Sequence, residues 1–154
     1  MQRCNKIYNH PLYKECIKRI AELERDRKFC LHHLEHALDV ARIAYIHILE
    51  NGLDIPKELI YTAAILHDAG RYSGVPHNQS GAELARKIMP DCDYTNEEIN
   101  LVADAISGHR DAKHSTEFSS ILYDADKKSR LCFKCEAYDE CYWEEDKKNH
   151  NIEI

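Results

Sequence analysis

The chain has 154 residues, of which 44% are hydrophobic and 31% are charged, and its formal net charge is −6 at pH 7. This length fits one compact domain, and this composition excludes a disordered or fibrous protein. The negative net charge argues against a nucleic-acid polymer or a membrane as partner, because both are themselves negatively charged.

Localisation is indicated by the N-terminus and by the cysteines. The first residues, Met1 to Lys6, lack the apolar segment of a signal peptide, and the longest apolar stretch, around 61–66, is far too short to span a bilayer. Seven cysteines are an odd number, which favours reduced thiols over a disulfide framework. We therefore expect a cytoplasmic protein.

Hydrophobic periodicity, with glycine and proline between the periodic segments, predicts six helices. Their expected ranges are about 12–28, 31–51, 56–68, 79–89, 95–107 and 119–131. No alternating segment is long enough to support a sheet, so we expect a single all-α domain over residues 1–131. Residues 132–154 are expected to form a Cys-bearing tail that packs on this domain or trails from it.

Three histidines lie close together at the start of the second predicted helix. The spacings of four and three residues from His32 and His33 to His36 place all three on one helical stripe, which continues into Val40 and Ile43. Because a buried imidazole needs a partner, we expect at least one of them to be a metal ligand.

Two further segments end in acidic or imidazole side chains after an apolar run. The third predicted helix ends in His67 and Asp68, and the sixth carries Asp124 and Asp126. Carboxylates in such positions must be paired, solvated or bound to metal. Since residues two apart point to different sides of a helix, we expect only one of Asp124 and Asp126 to reach a metal.

The order of these motifs resembles the H…HD…D pattern of the HD-domain metal-dependent phosphohydrolases, over about residues 28–131. The resemblance implies an HD-like fold and a metal site whose ligands are His36, His67, Asp68 and Asp126. Ala69 and Arg71 stand where the family usually has isoleucine and lysine. Arg71 still offers a fixed cation for phosphate.

The resemblance also implies accessory groups. His77, after the doublet, and His109, near the end of the fifth helix, correspond to active-site histidines of some members, which contact substrate phosphate or complete a second metal site. Exposed positions without a role remain the alternative for both. His32 and Arg110 are further candidates for these contacts, and we predict Asp68, Arg71 and His109 as the catalytic residues.

Two imidazoles and two carboxylates suit a divalent transition metal, namely Mn, Fe, Co, Ni or Zn. Such an ion activates water near neutral pH. The sequence therefore predicts hydrolysis of a phosphomonoester or phosphoanhydride of a small, nucleotide-like substrate. The alternatives are a catalytically silent metal-binding or adaptor protein of this fold, and a thiol or iron–sulfur redox protein. The sequence does not indicate an oligomeric state.

The tail contains a second cluster of potential ligands, Cys132, Cys135 and Cys141. The Cys-x-x-Cys spacing suits zinc or iron–sulfur ligation, for which Cys4 or His150 would supply the fourth ligand. A redox pair and free thiols remain open as alternatives. Cys16, Cys30 and Cys92 are interpreted as small core or near-core residues.

Overall fold

A computed structural model describes residues 1–108 and 116–154 of the chain, and these residues form seven α-helices and no strand. This confirms the all-α class. The helices are α1 (Gln2–Asn9), α2 (Pro11–Leu23), α3 (Leu34–Glu50), α4 (Lys57–Leu66), α5 (His77–Ile88), α6 (Asn96–Gly108) and α7 (Glu117–Lys128).

Helix α1 is the helix that the periodicity did not predict. Its apolar face is short, since only Cys4 and Ile7 are buried. Ion pairs to distant segments also hold α1 on the bundle. Arg3 Nε lies 2.9 Å from Glu58 of α4, and Arg3 Nη1 lies 2.7 Å from Glu98 of α6. Contacts across more than fifty residues leave no local pattern in the sequence.

The centre of the domain is built on α3 and α4, which pack against each other, with α3 also packing against α7. Helix α4 is buried along almost its whole length, from Leu59 to Leu66 with the exception of Tyr61. Helices α5 and α6 pack against each other, and α6 also contacts α4 and α7. The last turn of α4 therefore lies deep in the bundle.

The segment between α2 and α3 differs from the prediction. Helix α2 ends at Leu23 and α3 begins only at Leu34, so His32 and His33 precede the helix, and the prediction that they share a helical stripe with His36 was wrong. The physical reason is a buried carboxylate, because Glu24 accepts a hydrogen bond of 2.9 Å from the backbone N–H of His32. This bond holds the intervening residues in a turn.

Two glycines bring the chain after α4 directly onto α5. A Cβ atom on Gly70 would lie 2.5 Å from the backbone nitrogen of Gly81, and one on Gly81 would lie 2.9 Å from the carbonyl oxygen of His67. No real Cβ contact is so short, so both positions require glycine. The close approach fixes the end of α4 relative to α5.

The C-terminal segment, residues 132–154, contains only short 3₁₀ turns, at Cys132–Lys134 and Glu145–Lys147. Asn149 Nδ2 donates hydrogen bonds of 2.8 Å to the carbonyl oxygens of Lys127 and Arg130, which holds the segment against the end of α7. Within 1–108 and 116–154, no helix combines the length and the apolar character needed to cross a membrane.

Candidate metal centre

Four side chains from three helices or their ends converge in the bundle. His36 comes from α3, His67 and Asp68 from the end of α4, and Asp126 from α7. One ligand atom from each lies within 4.8 Å of all the others, and among the described residues this is the one group of three or more potential ligands that is so compact. The structure thus brings together the four residues that the resemblance implies as metal ligands.

His67 is held in one orientation by its own helix. Its ring is fully buried, and Nδ1 lies 2.6 Å from the carbonyl oxygen of Ala64. A carbonyl only accepts, so Nδ1 carries the proton and donates it. The other nitrogen, Nε2, faces Asp68 Oδ2 at 3.2 Å and Asp126 Oδ1 at 3.8 Å. This is the tautomer that a metal-ligating histidine needs.

His36 is oriented by α7. The hydroxyl of Ser129 donates to the carbonyl oxygen of Asp126 at 2.8 Å, so it accepts from His36 Nδ1, 3.3 Å away. His36 Nε2 consequently faces the carboxylates, at 3.3 Å from Asp126 Oδ1 and 3.6 Å from Asp68 Oδ2. Both histidines therefore direct Nε2 toward the same point, between the two carboxylates.

This donor set fits a divalent cation. His36 Nε2 is buried and has no hydrogen-bond partner of good geometry among the described residues, although two carboxylate oxygens lie close to it. A buried ring nitrogen that is directed at two carboxylates is the arrangement expected around a bound cation. Two nitrogen and two oxygen donors suit first-row transition metals.

The carboxylates and imidazoles shift one another's pKa strongly. Burial acts to raise the pKa of Asp68 and of Asp126, but hydrogen bonds and charge interactions with the histidines outweigh it and hold both values well below the ordinary range. Burial acts to lower the pKa of His67 and of His36, and the two aspartates outweigh it in the opposite direction. The centre therefore favours two ionised carboxylates.

In each aspartate, one carboxylate oxygen faces the histidines of the centre and the other contacts a basic side chain. Asp68 Oδ1 accepts from Arg71 Nη1 at 3.1 Å and lies 3.3 Å from His77 Nε2, while Oδ2 faces His67 and His36. Asp126 Oδ2 contacts Lys127 and lies 4.0 Å from Arg130, while Oδ1 faces the histidines. Arg71 and His77, both predicted as phosphate-contacting residues, thus lie next to the centre.

Glu24 is a residue of the site that the sequence did not identify. Its carboxylate contacts the Nδ1 of His32, whose Nε2 lies 3.8 Å from Asp68 Oδ2. Burial acts to raise the pKa of Glu24, but the ring and the backbone N–H of His32 outweigh it, so that the pKa is lowered. The predicted second-metal or phosphate candidate His32 therefore reaches the centre, although from a turn. No motif marks Glu24.

Other predicted residues lie apart from the centre or outside the described residues. Asp124 is exposed, in agreement with the expectation that only one acid of the pair points inward. Cys4 is buried under α4, where its thiol bonds to Thr62, and the exposed His150 contacts Glu145. His109 and Arg110 lie outside the described residues, 1–108 and 116–154.

A cavity of about 730 Å³ opens over the centre. His36, Asp68 and Asp126 lie on its wall together with His32, Arg71 and His77, and residues of the C-terminal segment also line it. A bundle of helices with buried histidine and aspartate donors beside an open cavity is the kind of helical domain that can hold a metal ion next to a small-molecule site.

Comparison with known proteins assigns the family. The HD-domain family model matches residues 33–131, so the chain belongs to the HD-domain family. An uncharacterized protein of Clostridium beijerinckii is 47% identical, over 99% of each chain. The crystal structure of a predicted HD superfamily hydrolase from an uncultured Thermotogales bacterium superposes with a TM-score of 0.63 and 26% identity, covering 88% of this chain and 80% of that one.

Similarity also extends to parts of larger enzymes. The bifunctional uridylyltransferase/uridylyl-removing enzyme of Cereibacter sphaeroides is 33% identical over 62% of this chain, and the chain spans only 10% of that relative. Ribonuclease Y of Acetivibrio thermocellus is 28% identical over 75% of this chain, which spans 21% of the relative.

Proposed function

We propose that this protein is a metal-dependent phosphohydrolase that cleaves a phosphomonoester or phosphoanhydride of a small, nucleotide-like substrate. The coarser assignment, a metal-dependent hydrolase, is supported by the HD-domain family match and by the hydrolase described for the structural neighbour. The phosphate ester and the nucleotide-like character are our proposal, and they depend on the cavity over the metal centre.

The charge of this cavity is the observation that carries the proposal. Although the whole chain is acidic, with a net charge of −6, basic side chains outnumber acidic ones on the cavity wall. The acidic residues are Asp39, Asp68 and Asp126, two of which belong to the metal centre. The basic residues are Arg27, Lys28, Arg71, Lys127, Arg130, Lys134 and Lys148. A concave basic surface attracts an anionic substrate.

Aromatic rings on the same wall support a substrate with a flat ring. The wall includes Phe29, Tyr123, Tyr138, Tyr142 and Trp143. Tyr142 and Trp143 stack with their centroids 5.5 Å apart, and Arg130 lies 4.4 Å above the Trp143 ring. Rings of this kind stack on nucleobases. A volume of about 730 Å³ is in the range of small-molecule sites.

The residues around the centre have separable tasks. A divalent ion, when bound by the four donors, lowers the pKa of a coordinated water and polarises a phosphoryl oxygen. Asp68 keeps Oδ1 outside the donor set, where it can accept a hydrogen bond from the attacking water and orient it. Arg71 and His77 lie beside that oxygen and would bind the charge of the phosphate. His32, fixed by Glu24, contacts the same carboxylate from the other side.

The proposal is tested by turnover with metal added to the purified protein. We expect phosphate release from nucleotides or sugar phosphates with Mn²⁺ or Co²⁺, and loss of both activity and bound metal in Asp126→Asn. Asp124→Asn is the matched control, because this acid is two residues away and exposed, and it should retain both.

RNA oligonucleotides belong in the same assay, since relatives named ribonuclease Y are similar to this chain. Cleavage of RNA without turnover of small phosphate esters would contradict the proposal that the substrate is a small molecule. A metal-loaded protein that hydrolyses none of these compounds would contradict the phosphohydrolase itself, and would favour the silent metal-binding alternative.

A further inference from the structure

The cysteines of the C-terminal segment lie in consecutive tight turns. Cys135 N–H donates to Cys132 O at 3.0 Å, Tyr138 N–H donates to Cys135 O at 3.1 Å, and Cys141 N–H donates to Tyr138 O at 3.2 Å. Cys132, Cys135 and Cys141, which these turns carry, all line the cavity. Turns that present thiols from a Cys-x-x-Cys pair are typical of metal sites.

A fourth cysteine comes from the turn before α3, and it is Cys30. The segment that carries it lies against the segment that carries Cys141. Lys28 Nζ lies 2.9 Å from Glu140 Oε2, and the rings of Phe29 and Tyr142 meet edge to face at 5.8 Å. Cys30 and Cys141 belong to these two facing segments, and both line the cavity.

The electrostatics of Cys30 agree with this placement. Burial raises the pKa of the Cys30 thiol, Arg130 lowers it, and the neighbouring thiols of Cys132 and Cys141 raise it further. Such mutual effects require the thiols to lie near one another. Together with Cys135, the four cysteines are half-buried, carry no disulfide and line one wall of the cavity.

We propose that Cys30, Cys132, Cys135 and Cys141 bind a [4Fe–4S] cluster. Four cysteine thiolates are the usual ligands of this cluster. The cluster would connect the turn before α3 to the C-terminal segment, and both segments line the cavity that the metal centre also lines.

The cysteines do not form a compact ligand group like that of the metal centre, which favours a cluster over a single zinc ion. Zinc with Zn–S bonds of about 2.3 Å draws its four sulfurs to within about 4 Å of one another. The one compact group of potential ligand atoms among the described residues is the His36–Asp126 centre, and it contains no cysteine. A cuboidal cluster places one thiolate on each of four separate irons and therefore holds them farther apart.

The surrounding charge also suits a cluster with four thiolates, which is an anion. Arg130 is only 10% exposed and contributes a positive charge beside Cys30. Its guanidinium also lies 4.0 Å from Asp126 Oδ2 of the metal centre. Arg130 is therefore placed between the two sites and balances the charge of both.

The test is cofactor analysis of the whole chain purified without oxygen. We expect about four irons and about four acid-labile sulfides per chain, with broad visible absorption that dithionite bleaches. Sulfide is the decisive quantity, because iron held by the histidine and aspartate centre carries none. A His67→Ala variant should therefore retain the sulfide.

Cysteine variants identify the ligands. Cys30→Ser should lose most of the sulfide and of the visible absorption, while Cys4→Ser, which removes the fourth ligand suggested by the sequence, should retain both. Cys141→Ser, in a segment without an α-helix, provides a second loss variant that does not disturb the bundle, which circular dichroism verifies. Three results would each overturn the proposed cluster. They are the absence of sulfide after anaerobic reconstitution, zinc in place of iron at the thiols, and a full content of iron and sulfide in Cys30→Ser.

Discussion

Single hydrogen bonds determine which atom each histidine presents to the metal centre. His67 donates to Ala64 O and His36 donates to Ser129, so that both Nε2 atoms face the carboxylates. The partner of His67 is a backbone carbonyl, which substitution cannot remove. The partner of His36 is a side chain, and its role can therefore be measured.

Ser129→Ala should weaken metal binding by about 10-fold to 100-fold, because the Nδ1 of His36 loses the acceptor that fixes its tautomer and ring orientation. Calorimetric titration with Co²⁺ or Zn²⁺ measures this change. Asp124→Asn serves as a control that lies on the same helix and outside the centre. An unchanged dissociation constant would show that Ser129 does not orient the ligand.

For individual residues, the family resemblance predicted more of the metal centre than the residue patterns alone did. The patterns left Asp124 and Asp126 as alternatives, and the motif order selected Asp126, which the structure brings to the centre. Neither approach could find Glu24 or Cys30. Glu24 contacts His32 across a turn within the segment that was predicted as helix up to about residue 28. The segment of Cys30 meets the C-terminal segment far along the chain, and such a contact leaves no local pattern.

Among the helices, the close contact between the end of α4 and α5 is possible because two residues at the contact are glycines and have no side chain. Gly70 and Gly81 allow the end of α4 to lie directly on α5, and this contact positions the His67–Asp68 doublet. The periodicity of the sequence predicted both helices, and each of their four ends lies one or two residues from the predicted position.

Gly81→Ala should destabilise the fold by about 1–3 kcal/mol, since its Cβ would lie 2.9 Å from the carbonyl oxygen of His67, a backbone atom that cannot move aside freely. Urea unfolding measures the loss. Glu83→Ala, at an exposed position of the same helix, should leave the free energy of unfolding nearly unchanged. Equal stability of the two variants would contradict the close approach of α4 and α5.

For the molecule as a whole, α1 is attached to the bundle by ion pairs in addition to the buried Cys4 and Ile7. Arg3 contacts Glu58 and Glu98, and Glu58 also accepts from the backbone N–H of Arg3 at 2.9 Å. Burial acts to raise the pKa of Glu58, but hydrogen bonds from the N-terminal amine and Arg3 outweigh it and lower the pKa to about 2. Helix α1 was missed in the sequence for this reason.

Glu58→Gln should therefore destabilise the protein in a pH-dependent way. The unfolded carboxyl titrates near its ordinary value of 4.5 and the folded one near 2, so the stabilisation is present above 4.5 and is lost as the pH falls toward 2. Unfolding at about pH 6 and about pH 3 should show a difference between variant and wild type that shrinks with acid. The exposed Glu22→Gln should show none. A pH-independent difference would contradict the ion pair.

The donors of the metal centre are far apart in the chain, since His36 and Asp126 belong to α3 and α7 and the doublet ends α4. A bound ion is therefore a cross-link between three helices as well as a chemical group. Ligands that bind only the native state raise its melting temperature in proportion to the logarithm of their concentration. A chelator should lower the melting temperature of the wild type and leave that of Asp126→Asn unaffected. The melting temperature therefore reports whether the metal centre is occupied, and no substrate is needed for the measurement.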